Sequence, residues 1–462
     1  MSRPAAAVRR VIKAYDVRGL VGTEIDEGFA ADVGASFARL MRAEAAGSDV
    51  PVAVGHDMRE SSPVLAAAFA AGVTGQGLDV VRIGLCSTDQ LYFASGRMNC
   101  PGAMFTASHN PAAYNGIKLC RAGAKPVGAE TGLAVIREEL IDGIPPHDGP
   151  RGSVRDRDVL VEYGEFLRSL VDVRSLRPLR VAVDAGNGMA GLTAPAVLGP
   201  VAALTVLPLY FELDGSFPNH EPNPLEPANL VDLQRFVTDN GADIGLAFDG
   251  DADRCFVVDE RGRPVPASAV TALVAARALD REPAATVIYN LITSRAVPEL
   301  VAERGGKPVR SRVGHSYIKS LMAETGAVFG GEHSAHYYFR DFWCADSGML
   351  AALHVLAALG GQDRPLSELI GGYQRYATSG EINFRVADAA ACAEAVLKSF
   401  DGEVVSLDHL DGVTAELGDG AWFNLRSSNT EPLLRLNVEA RSAEDVDTIV
   451  GRVADTIATA SP

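Results

Sequence analysis

Positive charge is scarce in this 462-residue chain: 42 Lys and Arg stand against 59 Asp and Glu, a formal net charge of −17. That excludes general nucleic-acid binding, which needs a basic surface. It also means that an anionic substrate must be gripped by a local cluster of cations and amides. Cysteines are few, and the six (Cys86, Cys100, Cys120, Cys255, Cys344, Cys392) show no CxxC spacing. This argues against a zinc site or a disulfide frame and for reduced, packed thiols in a cytoplasmic protein. The opening MSRPAAAVRRVIKAYDVRG has no apolar h-region, so no secretory signal is expected. No apolar run reaches the roughly 18 residues of a membrane span. The best, Met349 to Leu359, is interrupted by His354 and is expected as a buried helix. No G-x-S-x-G elbow occurs, which weakens an α/β-hydrolase reading.

What is present is an alternation of short β-branched runs with Ala/Leu-rich helical stretches, the pattern of α/β domains. Three times an apolar strand stops at Asp or Asn and hands over to a helix: VPVAVGHD (50–57), RVAVDAGNGMAG (180–191) and ATVIYNLITS (285–294). The linker DGIPPHDGPRG (142–152) and the break IGGYQRYATSGE punctuate the chain, and past residue 380 short strands alternate with helices as in a small α+β domain. The expected division is 1–150, 151–254, 255–372 and 373–462.

The stretch GLAFDGDADRCFVVDE places Asp249, Asp251 and Asp253 at every second position after an apolar strand. On roughly extended backbone they point to one side, and unpaired they raise each other's pKa. A hard divalent cation with oxygen ligands, Mg²⁺ or Ca²⁺, relieves this. An EF-hand loop is spoiled by Arg254 where Gly is required and by strand-like flanks. A haloacid-dehalogenase-type aspartyl nucleophile and a plain solvated acidic turn remain alternatives.

Three further strings carry candidate chemistry. MFTASHNPAAYNGIKL sets Ser108 after a strand, with His109 beside it and Lys118 following, although a turn closed by Asn110-Pro111 would look alike. WFNLRSSNTEPLLRLNVEA interrupts two strands with Arg426, Ser427, Ser428, Asn429 and Thr430, a donor set suited to phosphate or to a polar hairpin. FGGEHSAHYYFRD aligns Glu332, Ser334 and His336 on one strand edge, where they can read adjacent sugar hydroxyls. Tyr15 and Arg18 in AYDVRG, and His315 and Lys319 in VGHSYIK, complete the candidates.

In this order, TASHNP, DGDADR, GEHSAH and RSSNTEP resemble the phosphoserine, metal, sugar and phosphate loops of the α-D-phosphohexomutase superfamily, from about Tyr15 to Glu439. The chain looks most like the branch of bacterial phosphomannomutases and dual phosphomannomutase/phosphoglucomutases. The resemblance implies three related α/β domains with mixed sheets and a smaller C-terminal α+β domain around a central cleft. It implies a phosphorylated Ser108, and one Mg²⁺ per active site held by Asp249, Asp251, Asp253 and Ser108. Lys118, Arg18, His109, His336 and Arg254 would serve catalysis. Tyr15, Glu332, Ser334, His336, His315, Lys319, Arg426, Ser428, Asn429 and Thr430 would bind substrate. The partner would be a hexose phosphate, with a hexose 1,6-bisphosphate as activator, and the protein a cytoplasmic monomer or weak dimer touching neither nucleic acid nor membrane. Phosphoglucomutase and phosphoglucosamine mutase are the sibling alternatives. Departures from the family pattern are Ala335 where many members have Gly, GLCSTD (84–89) in place of GL-x-TP, and His56 where Arg is frequent.

Overall fold

The computed structural model describes residues 2–44, 50–427 and 433–460, and of His315 the backbone alone. Its first sheet holds β1 (Val17–Leu20), β2 (Val52–His56), β3 (Val80–Leu85), β4 (Gly102–Phe105), β5 (Tyr114–Arg121), β6 (Lys125–Pro126) and β7 (Val154–Asp156), in the order β1-β5-β4-β2-β3-β7 with β6 on β5. The second holds β8 (Leu179–Asp184), β9 (Leu204–Leu209), β10 (Ile244–Phe248), β11 (Cys255–Asp259) and β12 (Pro264–Val265), ordered β12-β11-β10-β8-β9. The third holds β13 (Thr286–Asn290), β14 (Lys307–Ser311), β15 (Phe329–Gly331), β16 (Tyr337–Phe339) and β17 (Ala345–Asp346), ordered β14-β13-β15-β16-β17.

The three sheets repeat one plan. A central strand (β2, β8 or β13) has parallel neighbours on both sides, and one of them (β4, β10 or β15) turns back into an antiparallel strand. The strand-to-helix units read in the sequence are β2 with helix Ser62–Gly75, β8 with Ala190–Leu198 and β13 with Ala296–Glu303. The helices form because Ala, Leu and Val fill the positions that face the sheet. The second sheet runs through β11 and β12 to Val265, so the division expected after Arg254 cuts the β10–β11 hairpin. Beyond residue 150, β7 still pairs with β3 of the first sheet.

The fourth unit is an antiparallel sheet of β18 (Ala377–Arg385), β19 (Val404–Asp408), β20 (Val413–Leu417), β21 (Trp422–Ser427) and β22 (Leu433–Ala440), ordered β18-β22-β21-β20-β19 and backed by helices Ala389–Ser399 and Ala443–Ala460.

The cores are divided unequally. One continuous core runs through the first three units, joining Leu91 and Phe93 to Tyr163 and Phe248 and on to Phe329 and Leu353. Helix Gly348–Gly360, the run expected to be buried, lies almost wholly inside it. The fourth unit has its own core around Val396, Phe423, Leu436 and Val453, and meets the rest through a small cluster of Leu291, Ile292 and Trp422. The first three units therefore form one packed body with the fourth docked on it. No described helix is long and apolar enough to cross a membrane, and none of the six cysteines is bridged.

Candidate active site

Equivalent sheets place their loops equivalently. The serine string lies between β4 and β5, the aspartate string between β10 and β11, and GEHSAH between β15 and β16. Each is the turn after the carboxyl end of a parallel strand, where open α/β sheets bind ligands.

In the first loop Ser108 is 5% exposed and sits at φ 51°, the left-handed region that a residue with a β-carbon enters only at a cost. Its N–H donates to Thr106 Oγ1 at 2.9 Å, and its Oγ donates to Asp249 Oδ2 at 2.8 Å. His109 Nδ1 lies 3.3 Å from that Oγ. Burial, with Arg254 and Arg18 nearby, holds the His109 imidazole well below its ordinary pKa. Arg18 donates to Asn110 Oδ1 at 2.7 Å and to Asp16 Oδ2 at 2.5 Å, so it flanks the same loop.

The aspartates converge for a reason other than extended backbone. Pairing of Phe248 with Cys255 closes the hairpin, so 249–254 must turn, with Ala252 at φ 59° and its N–H on the Asp249 carbonyl at 3.0 Å. The turn brings ligand oxygens of Asp249, Asp251 and Asp253 within 4.8 Å of one another, all buried. Gly250 permits the approach of the two loops, because a Cβ there would lie 2.4 Å from the Ser108 carbonyl oxygen.

Lys118, on β5, places Nζ 2.6 Å from Asp251 Oδ2 and 2.6 Å from Asp253 Oδ2. Burial alone would lower its pKa, but the two carboxylates outweigh burial and hold it above the usual range. Burial alone would raise Asp251, yet Lys118 keeps it below the ordinary carboxylate value. Burial pushes Asp249 up to about 7, against the pull of Arg254, whose Nε donates to it at 2.8 Å. The set fits a hard cation. It offers only oxygen donors, and the buried Oδ1 atoms of Asp251 and Asp253 have no hydrogen-bond partner among the described residues.

Glu332, Ser334 and His336 do not alternate along a strand edge as expected. β15 ends at Gly331, and the following residues form a tight turn in which Glu332 N–H reaches the His336 carbonyl at 3.0 Å. Ala335 takes φ 63° inside it, at a cost of about 1 kcal/mol. Glu332 accepts from Tyr338 Oη at 2.8 Å, and Ser334 Oγ lies 3.1 Å from His336 Nδ1. A backbone bridge joins Arg254 to His336, so the aspartate and GEHSAH turns are physically connected.

Tyr15 stands edge-on to Tyr317, ring centroids 6.3 Å apart, and burial together with Tyr317 pushes its phenol to about 12. Lys319, expected to bind substrate, is instead only 4% exposed, with Nζ 2.7 Å from Asp346 Oδ1 and 4.0 Å above the Tyr92 ring. Arg426 faces Glu381 at 3.5 Å. The side chain of His315 and residues Ser428, Asn429 and Thr430 lie outside the described residues. Between the units runs a cavity of about 560 Å³, lined by His109 and Glu226 on one side and by Ser294, His333, Trp422 and Arg435 on the other.

Four family models cover the chain in order: phosphoglucomutase/phosphomannomutase alpha/beta/alpha domain I on residues 9–140, domain II on 161–262, domain III on 267–376 and the C-terminal domain on 381–456. The chain belongs to the phosphoglucomutase/phosphomannomutase family. Among relatives of this family, the phosphohexose mutases of Xanthomonas campestris pv. campestris are 41% identical over 93% of this chain and 94% of theirs. The phosphomannomutase of Salmonella montevideo is 39% identical, again over 93% and 94%. The crystal structure of a phosphoglucomutase/phosphomannomutase family protein from Burkholderia thailandensis matches with a TM-score of 0.87 at 31% identity, covering 98% of this chain and 97% of that one.

Several residues at this family site escaped the sequence reading. Thr88 donates through Oγ1 to Asp251 Oδ2 at 2.5 Å, and Asp89 accepts from Tyr163 Oη at 2.7 Å and Ser347 Oγ at 2.6 Å. Both lie in GLCSTD, so the departure from the family string was the available signal. His333, inside GEHSAH, accepts through Nδ1 from Asn290 Nδ2 at 3.1 Å, and burial, then Arg426, drops its pKa to about 3. Arg435 meets Glu381 at 3.3 Å beside Arg426, a second guanidinium at the phosphate string.

Proposed function

We propose that this chain is a phosphomannomutase, interconverting α-D-mannose 1-phosphate and D-mannose 6-phosphate through phosphorylated Ser108 and a hexose 1,6-bisphosphate, and that glucose phosphates turn over in the same site. The observation that carries the reading is the contact of Ser108 Oγ with Asp249, inside an acidic trio that Lys118 bridges. Curated relatives named phosphomannomutase, 39% identical over nearly the full length, support mannose as the main sugar.

In the first half-reaction a hexose hydroxyl attacks the phosphoryl group on Ser108. The Oγ–P bond breaks, the new P–O bond forms on the sugar, and the hydroxyl proton leaves. Lys118 is held protonated by its two carboxylates, Arg18 is a permanent cation, and His109 is a weakened base. That leaves His336, flanked at 3.6 Å by Asp253 and Glu332, to take the proton. A divalent cation, Mg²⁺ by its oxygen donors, held by Asp249, Asp251, Asp253 and a phosphoryl oxygen on Ser108, would draw electron density from the transferring group.

The bisphosphate then turns over in the cleft and returns its other phosphate to Ser108, so a hexose 1,6-bisphosphate also serves as activator. Glu332 and Ser334 grip sugar hydroxyls, and Arg426 with Ser428, Asn429 and Thr430 takes the idle phosphate. The grip falls on hydroxyls common to mannose and glucose, which is why both epimers are substrates. Unbridged cysteines suit a cytoplasmic enzyme, acting as a monomer or weak dimer.

The test pairs intact-protein mass spectrometry with coupled assays. One added phosphate mapping to Ser108, loss of turnover in Ser108→Ala, and faster turnover of mannose 1-phosphate than of glucosamine phosphate are expected. Stoichiometric release of inorganic phosphate would make the enzyme a phosphatase instead.

A further inference from the structure

Beneath the serine loop one guanidinium uses every N–H it has. Arg59, 1% exposed, lies between β2 and helix Ser62–Gly75. Its Nε donates to Asp57 Oδ2 at 3.2 Å. Nη1 donates to the carbonyls of Pro111 at 2.9 Å and Tyr114 at 3.2 Å. Nη2 donates to the carbonyls of Ser108 at 2.9 Å and Asn110 at 2.7 Å. Five donors meet five acceptors, the full capacity of the side chain.

The other face of the guanidinium belongs to another unit. It lies 5.0 Å from the centroid of the Phe217 ring, beyond β9 in the second unit. Gly215 packs so close that a Cβ there would stand 2.6 Å from Arg59 Cα. Asp57, fully buried, is fixed in turn by the Arg59 N–H at 3.0 Å and by Ser62 Oγ at 2.6 Å.

The serine loop needs such a clamp. Between β4 and β5 it has no sheet ladder to hold its carbonyls, and buried carbonyls without partners are costly. Ser108 is also kept in the left-handed region, which surrounding contacts must enforce. Asp57 neutralises the guanidinium, so what Arg59 supplies is geometry rather than a field on the phosphate.

We propose that Arg59 is a positioning residue for phosphoryl transfer: its fork sets the serine loop through four carbonyls and registers that loop against the second unit through Phe217. The inference rests on the reading of Ser108 as the phosphoryl carrier. Arg59 itself touches no substrate.

Arg59→Lys keeps the charge and removes the fork, and a loop displaced by about 1 Å costs on the order of 100-fold. The expected result is kcat down about 100-fold with KM within about threefold. Hydrogen exchange should quicken at the amides of 108–114 and stay unchanged in the fourth unit. A kcat within threefold of the parent, or exchange quickened equally throughout the molecule, overturns the proposal. Should Arg59→Lys fail to fold, Phe217→Leu decides, since it leaves all five hydrogen bonds and removes only the aromatic face. A three- to tenfold loss of kcat at constant KM supports the proposal, and unchanged kcat overturns it. Failure of the phosphoserine reading has a different signature: no phosphate on Ser108 in the parent and undiminished turnover in Ser108→Ala.

Discussion

Thr88 Oγ1 donates to Asp251 Oδ2 across 2.5 Å, and the Thr88 N–H reaches the Asp251 carbonyl at 3.0 Å. Two bonds thus fix one carboxylate of the acidic trio in the second unit to the first turn of helix Thr88–Met98 in the first. Groups that orient a ligand from behind typically govern affinity by 10- to 100-fold. Thr88→Val, equal in shape and lacking the donor, should raise the Mg²⁺ concentration for half-maximal activity about 10-fold or more. A magnesium titration of turnover checks this, and an unchanged midpoint would show that Asp251 is held well enough without Thr88.

Gly250 is the point where the two loops touch. A methyl group would stand 2.4 Å from the Ser108 carbonyl oxygen, a backbone atom already engaged by Arg59. One loop must retreat, and a displacement of this size costs roughly 100-fold in rate. Gly250→Ala should lose about that much kcat while its melting temperature falls by only a few degrees, since overpacking of this kind costs about 1–3 kcal/mol. Steady-state kinetics beside a thermal melt separates the two effects.

The legible and illegible parts of this site differ in how far apart their residues lie. The acidic trio that could hold a metal was readable because all three carboxylates come from one turn, 249–254. Their backbone was misread because i, i+2, i+4 spacing fits both an extended strand and a tight turn. Only the pairing of Phe248 with Cys255 decides for the turn. The three strand-to-helix units and the late α+β domain were visible in local periodicity for the same reason.

Tertiary convergence was hidden. Lys319 stood in the sequence only as a candidate for binding substrate, and its contacts with Asp346 and Tyr92 came from the fold. Asp89 gathers Tyr163, 74 residues away, and Ser347, 258 residues away, and no local pattern announces such a meeting. The left-handed Ala335 shows the reverse case: the unusual residue was visible, and only the structure supplied its backbone conformation.

Lys118 bridges Asp251 and Asp253 and so stands in for positive charge at the trio. Removing one partner of a buried ion pair costs about 3–5 kcal/mol, because the remaining charges are left uncompensated. Lys118→Met should therefore melt well below the parent in EDTA. Mg²⁺ binds only the folded trio and should restore more stability to the variant than to the parent. Melting temperatures with EDTA and with excess magnesium give four values. An equal magnesium increment in both proteins would mean that the lysine does not neutralise the trio.

Asp89 joins three units without a cation. It accepts from Ser87, from Tyr163 of the second unit and from Ser347 at the start of helix Gly348–Gly360 in the third. Burial pushes its carboxyl up to about 6, against those hydroxyl donors. A carboxyl raised on folding binds its proton more tightly in the native state than in the unfolded chain, so stability falls as pH rises from near 4 through about 6. The shift of about 2 pH units amounts to roughly 3 kcal/mol, in full effect at pH 7 and absent near pH 4. Asp89→Asn cannot ionise and escapes this term, although its amide leaves one hydroxyl partner poorly matched. The variant should therefore be less stable than the parent at pH 4.5, gain on it as pH rises through about 6, and hold level from there to pH 7.5. Thermal melts of both proteins across that range give the difference directly. A constant gap would place the ionisation of Asp89 outside this window and leave the junction indifferent to pH.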